Sequence, residues 1–258
     1  MNLVPTIVNI KKTEREGIVG SVSFEFSGDL NAGQVFKIGT FGRGETTAWV
    51  TDSDKKNVTV SFLDNNAVTH KIMLLPPNEC ITIRGPFGNG FSLLNERNVL
   101  LISQDDAILS QKKLINDLLQ NGNQINLLHF TSFPKDVFMG SSLNKAVSPD
   151  SPINGDIVDM TKKGPQDLDA FVKSSIKSEY ISGINAVALA GNEDFQQSVS
   201  RVLEKTAIKD KSIQILFNRN FVSGMGWSNK DLYGTTNIWK EGPVFTLDQI
   251  RRFPGVFI

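Results

Sequence analysis

The chain has 258 residues, enough to bury a substantial core and better suited to two moderate domains than to one. With 40% apolar and 21% charged residues, and Lys plus Arg equal to Asp plus Glu at 27 each, it has an ordinary globular composition and no net formal charge. That balance leaves no basic field for a polyanion, so neither nucleic acid nor an anionic membrane surface is expected as a partner.

In chain order, Met1–Lys12 carries its charge after a short apolar run, the reverse of a secretory leader. No stretch approaches the roughly 18 apolar residues that cross a bilayer, so no membrane span is expected and a cytoplasmic location is. Residues 1–95 then read as short strands. Val19–Phe26, Gln34–Ile38, Thr47–Val50, Asn57–Phe62 and Cys80–Arg84 alternate or are β-branched, with turn residues between them at Gly28-Asp29, Asn31-Ala32-Gly33, Gly42-Arg43-Gly44 and Asp52–Lys56. The expected domain is an antiparallel β barrel.

From residue 96 the rhythm changes. Asn98–Ser103 is a continuous apolar strand, and Ala107–Gln120 places Leu114, Ile115, Leu118 and Leu119 at helical spacing. Gly122 then stops the helix, and Gln124–Phe130 is the next strand. Asp156–Asp159, a helix near 165–178, Ala186–Ala190, a helix near 194–205 and Ser212–Phe217 continue the alternation. Residues 96–217 therefore read as an α/β domain with a parallel sheet covered by helices.

Cys80 is the single cysteine, which excludes an intrachain disulfide and a cluster held by Cys thiolates. His70 and His129 are far apart in sequence, and His129 sits in an apolar run that reads as a buried strand. There is no metal-site spacing.

Two blocks carry a resemblance. Arg84-Gly-Pro-Phe-Gly-Asn-Gly-Phe91 is similar to G-P-x-G-N-G-F, and Ser223-Gly-Met-Gly-Trp-Ser-Asn-Lys-Asp231, followed by Trp239-Lys-Glu-Gly-Pro-Val-Phe245, is similar to C-G-x-G-x-C-x-x-C followed by C-x-D-G-P-V-F. Both patterns belong to the electron-transfer subunit of dihydroorotate dehydrogenase B, in the ferredoxin-reductase-like superfamily. Plant-type loops need that thiolate spacing to present sulfurs to one side of a cluster. Here Ser223, Ser228, Asp231 and Trp239 stand at the ligand positions. Oxygen donors replace thiolates poorly and Trp is no ligand, so no [2Fe-2S] cluster is expected and residues 218–258 become a degenerate iron–sulfur segment.

The resemblance implies an FAD-type barrel, an NAD-type second domain and docking to a catalytic FMN-containing dihydroorotate dehydrogenase subunit of pyrimidine biosynthesis, as a hetero-oligomer. In the barrel, Arg43-Gly-Glu-Thr46 is the nearest match to the family's flavin segment R-P-x-S/T, offset by about one residue from a gap-free alignment. Asn66-Ala-Val-Thr69 stands at its pyrophosphate loop G-x-G-T. Arg43, Thr46 and Thr69 are thus the FAD candidates, beside the alternative of ordinary barrel turns. Arg84–Phe91 reads as architectural. At the nucleotide site, Ser103-Gln-Asp-Asp106 replaces a glycine-rich loop; carboxylates there are expected to cap the following helix and repel a phosphate, and Ala190 replaces the cysteine expected beside a nicotinamide. No NAD binding is expected. Phe221, Met225, Trp227 and Trp239 have the side-chain types of interface anchors and are the docking candidates, beside the alternative that they fill the space a cluster vacated.

The reading is an accessory subunit without cluster or NAD chemistry. The alternatives are an FAD-bearing subunit relaying electrons to a non-NAD acceptor, and a ligand sensor reusing an emptied cleft.

Overall fold

The computed structural model describes residues 4–92, 98–134, 140–148, 150–163, 167–217, 232–233 and 236–253. The first part is a closed antiparallel barrel of β1 (Thr6–Glu16), β2 (Val19–Glu25), β3 (Val35–Thr40), β4 (Gly44–Ser53), β5 (Asn57–Leu63) and β6 (Cys80–Phe87), in the order β1-β2-β5-β4-β3-β6. Closure removes sheet edges. Helix α1 (Ala67–Met73) lies between β5 and β6. Strand β1 escapes a pattern-based reading because only Ile10 along it is fully buried; its charged half shows no alternation.

Period-two alternation fills the barrel. Phe24, Phe36, Ile38, Ala48, Val50, Val58 and Val60 point inward and are fully buried, and the Phe36 ring meets Phe24 and Phe26 edge-on at centroid distances of 5.7 and 5.1 Å. The residues one position out of phase, Val35 on β3 and Trp49 on β4, face outward and join the core of the second domain.

That domain runs β7 (Asn98–Gln104), α2 (Ile108–Gln120), β8 (Gln124–Thr131), α3 (Gly140–Ala146), β9 (Ile153–Asp159), α4 (Leu168–Ser175), α5 (Ser178–Ile181), β10 (Ala186–Gly191), α6 (Glu193–Leu203) and β11 (Ile213–Phe217). After it come β12 (Leu232–Tyr233), β13 (Thr236–Asn237), α7 (Ile238–Glu241), β14 (Val244–Thr246) and α8 (Leu247–Ile250). The sheet order is β14-β11-β10-β7-β8-β9, parallel except for β14, which pairs antiparallel with β11. Two buried glutamines pin helices to it. The Gln111 Nε2 on α2 donates to the carbonyls of Ile102 and Ala188 at 3.1 and 3.0 Å, and the Gln196 Nε2 on α6 donates to those of Gly191 and Leu216 at 2.9 and 2.6 Å.

Barrel and sheet are joined by Gly88–Phe91 of the first block singled out in the sequence and Glu241–Val244 of the second. Gly88 has φ +90°, and a Cβ there would lie 2.4 Å from Pro243 Cδ; Gly90 has φ +71°, and a Cβ there would lie 2.6 Å from the Ala32 carbonyl oxygen. Only glycine admits both the backbone and the approach. Between them, the Asn89 side chain donates to the Val244 carbonyl at 2.9 Å and the Glu241 carbonyl at 3.3 Å, and accepts from the Val244 N–H at 3.1 Å. Its own N–H donates to the Gly242 carbonyl at 2.7 Å. On the barrel side, Gln34 Nε2 donates to the Gly88 carbonyl at 2.8 Å and the Phe91 N–H to the Ala32 carbonyl at 2.7 Å. A second tie is Glu16, at the end of β1, whose carboxylate accepts from the Ser142 N–H and hydroxyl on α3 at 2.8 and 2.7 Å.

Replacing Asn89 by Ala strips both polar groups of Val244 of a partner, so Asn89→Ala is expected to lower the unfolding free energy by about 2 kcal/mol in a denaturant titration and to expose the chain near 241–246 to limited proteolysis. A melt and a cleavage pattern identical to the parent's would contradict this assignment.

Candidate functional site

Two surfaces converge on the chemistry. The first is the outer face of β3, β4 and β6. Along β4, Ala48 and Val50 face the barrel interior, so by alternation Thr46, which stands opposite the fully buried Ile38, lies on the interior side. Thr47 lies on the outer side, in one rung with Lys37 of β3 and Arg84 of β6. Register thus presents outward the threonine next to the one picked from the motif. Counting by two from the apolar pair Ala48 and Val50 is the signal that finds it.

The neighbouring rung is Glu45, Gly39 and Thr82. Gly39 lacks a side chain, and a Cβ there would come within 3.1 Å of Glu45 Cγ and 2.5 Å of the Gly44 carbonyl oxygen. Over this gap Glu45 reaches Arg84 two strands away: Arg84 Nε donates to the two carboxylate oxygens at 2.9 and 3.2 Å, and Nη2 donates at 2.5 Å. This charge-assisted grip holds the guanidinium above its ordinary pKa, with burial opposing. The side chains are 17% and 28% exposed, so the pair is partly shielded from solvent.

Arg43 is exposed in the turn between β3 and β4, its N–H bonded to the Thr40 carbonyl at 3.1 Å. Its guanidinium makes no ion pair or side-chain hydrogen bond among the described residues, which leaves it available to an anion. Thr69 is buried on α1. The Asn66 side chain accepts from the N–H groups of Val68 and Thr69 at 3.0 and 3.1 Å, and the Thr69 hydroxyl accepts from the Asn66 N–H at 3.1 Å and donates to its carbonyl at 2.9 Å. This capping box engages the amides at the start of α1 internally. Arg84 and Arg43 suit an anion and Thr47 a hydrogen-bonding ligand group, whereas the start of α1 offers an anion little.

The second surface is the crevice at the carboxyl ends of the parallel strands. The expectation that Asp105 and Asp106 cap a helix is corrected here. Neither Gln104 nor Ala107 caps through its side chain, and Asp105, at φ +49° in a 3₁₀ turn, instead accepts from the Ser132 N–H at 2.7 Å, linking the ends of β7 and β8. Burial raises the pKa of Asp105, against the hydrogen bonds from Ser132; burial and then the Asp105 charge raise that of Asp106. Gln104 Oε1 accepts from the Asn192 N–H at 3.0 Å, and Asn192 caps α6 by accepting from the Phe195 N–H at 2.9 Å. Ala190 is fully buried in β10. Beneath the crevice Ser103 Oγ and His129 Nδ1 are 2.9 Å apart, both buried, and burial lowers the His129 pKa to about 4.

Of the docking candidates, Phe221, Met225 and Trp227 lie outside the described residues, as do Ser223, Ser228 and Asp231 and the side chain of Trp239 on α7. Cys80 is on β6 of the barrel, exposed, 3.2 Å from Asn9 Oδ1. No group of three or more His, Cys, Asp or Glu among the described residues is placed to hold a metal ion, and none of their helices is long and apolar enough to cross a membrane.

A closed six-stranded antiparallel barrel followed by a helix-covered, largely parallel sheet is the ferredoxin-reductase-like fold. Among curated proteins the chain is 24% identical over 246 residues, 94% of its length and 88% of the relative's, to the probable dihydroorotate dehydrogenase B (NAD(+)) electron transfer subunit of Thermoplasma volcanium. It is also 24% identical to the protein of that name in Thermoplasma acidophilum, over 92% of this chain and 86% of the other, and 25% identical to the sulfhydrogenase 1 gamma subunit of Pyrococcus furiosus, over 73% and 69%. Among solved structures, an NADH-dependent reduced ferredoxin-NADP oxidoreductase superimposes with a TM-score of 0.72 at 16% identity, covering 94% of this chain and 89% of that one. The FAD/NAD binding domain of nitric oxide dioxygenase from Vibrio cholerae superimposes with a TM-score of 0.64 at 16% identity, covering 81% and 96%. No family model matches the chain.

His129 carries a pH dependence with a definite sign. Its folded pKa lies below the ordinary 6.5, so the unfolded chain binds the extra proton between about 6.5 and 4, and stability is present above that window and lost as pH falls through it. Asp105 and Asp106, raised from 3.8, act in the opposite sense at the acid end. Unfolding free energy measured from pH 7 to pH 5 is expected to fall, by up to about 1.4 kcal/mol per pH unit, and His129→Gln to flatten that slope.

Proposed function

We propose that the chain is an electron-transfer-type subunit that docks on an FMN-containing dihydroorotate dehydrogenase catalytic subunit of pyrimidine biosynthesis, and that it stabilises or gates that partner in the cytoplasm without a [2Fe-2S] cluster or NAD chemistry of its own. The observation that carries the reading is the separation of the single thiol from the segment resembling a cluster loop. Cys80 is on the barrel, while the positions of the thiolates hold Ser223, Ser228, Asp231 and Trp239. A soft-metal cluster needs thiolates, and Ser, Asp and Trp do not replace them.

Loss of NAD binding is supported by Asp105 and Asp106, which put two carboxylates at the end of β7 where a dinucleotide phosphate needs free amides and a glycine turn. Electrons leaving the complex would then go to an acceptor other than NAD. Docking through Phe221, Met225, Trp227 and Trp239 rests on the suitability of those side chains as anchors.

A second reading, an FAD-bearing relay, is favoured by the exposed Arg43, whose guanidinium has no partner among the described residues, and by the outward-facing Thr47 on the adjoining strand.

Co-expression and affinity purification with the flavoprotein subunit test the main reading. A stable complex that oxidises dihydroorotate with a dye acceptor, but does not reduce NAD, is expected; NAD reduction by that complex would overturn it. The visible spectrum of the isolated chain separates the readings, since a flavin band that survives gel filtration would establish the relay and a colourless protein the accessory role.

A further inference from the structure

The outer barrel face holds an ion pair that no motif announces. Glu45 of β4 and Arg84 of β6 meet across β3 because Gly39 leaves the space between them open, and both remain reachable by solvent at 28% and 17% side-chain exposure. In the same rung as Arg84 stands Lys37, 8% exposed, with Thr47 beyond it, and Arg43 projects from the adjoining turn. Lys37 and Arg84 therefore share this face, Arg43 lies exposed in the turn at its end, and Glu45 is the carboxylate that meets Arg84.

We propose that Arg84 is the anion-holding residue of this face and that Glu45 is its built-in counter-ion, displaced when a phosphate-bearing ligand of the flavin-nucleotide class binds. The warrant is geometric. A carboxylate presents two oxygens to the guanidinium fork, and a phosphate presents a similar pair, so a ligand phosphate can take the place of Glu45 on Arg84. The exchange trades one charge-assisted partner of Arg84 for another, and both side chains keep enough exposure for a ligand to reach them. With Glu45 in place, the face is closed by its own side chain when ligand is absent. The inference rests on reading the barrel as a flavin-type surface, and is independent of whether the chain docks on a dehydrogenase.

Calorimetric titration with FAD, inorganic pyrophosphate and riboflavin tests it on the full-length chain. Glu45→Gln is expected to bind FAD and pyrophosphate about 3-fold tighter, having removed the internal competitor, and Arg84→Gln about 10-fold or more weaker. Riboflavin, which has no phosphate, is expected to respond to neither change. A thermal melt checks that each variant is folded; Glu45→Ala and Arg84→Lys replace any that is not, with the same order expected. FAD affinity untouched by both substitutions, equal effects on riboflavin, or no FAD binding by any form would overturn the proposal. A chain that co-purifies with the flavoprotein yet binds no FAD sinks this inference alone, whereas Glu45-dependent FAD binding without co-purification sinks the subunit reading alone.

Discussion

One asparagine connects the two halves of this molecule. Asn89 uses its amide oxygen and nitrogen, and its own backbone N–H, on Glu241, Gly242 and Val244, residues more than 150 positions away. Those bonds hold Val244–Thr246 where it can pair with β11, and the rings of Phe217, Phe245 and Phe253 stack edge-on behind it at 5.9 and 5.3 Å. Because the flanking Gly88 and Gly90 also touch Pro243 and Ala32, barrel, sheet and C-terminal segment are all positioned from one short turn. The first block that carries the resemblance and the Glu241–Val244 part of the second are partners in space.

The two candidate surfaces have opposite electrostatic character in a chain that is neutral overall. Among the described residues, the barrel face sets Lys37 and Arg84 in one rung, with Glu45 on Arg84, whereas the end of β7 carries Asp105, bonded to the Ser132 N–H, and Asp106. Net charge conceals this division, since equal totals of acid and base say nothing of where each sign is placed. The arrangement favours an anionic ligand on the barrel and disfavours one beside Asp105 and Asp106.

The strand and helix rhythm was legible from local pattern. The strands from Val19 to Arg84 and the alternation from Asn98 to Phe130 and from Asp156 to Phe217 correspond to observed elements within a few residues, whereas α3 at Gly140–Ala146 lies in a stretch for which no element was read. The exceptions have local causes. β1 is polar on both faces along its second half, and α1 begins at a stretch read as a loop, where Asn66 and Thr69 form a capping box whose reciprocal bonds do not depend on hydrophobic spacing. β14 is too short to show a period at all.

What the sequence by itself determined is what depends on residue identity and short-range spacing: two kinds of secondary-structure rhythm, a single thiol, and oxygen or indole groups where a cluster loop would carry thiolates. Only the tertiary structure decided which neighbour each polar side chain meets. It turned Thr47 rather than Thr46 outward, because a strand's two faces alternate and one step in register exchanges them. It sent the Asp105 carboxylate to Ser132, 27 positions on, rather than to the helix beside it, and it brought Glu45 to Arg84 over a glycine, 39 positions apart. Such partners are separated by whole elements, and their meeting is fixed by strand order and packing, quantities that no local pattern of residues encodes.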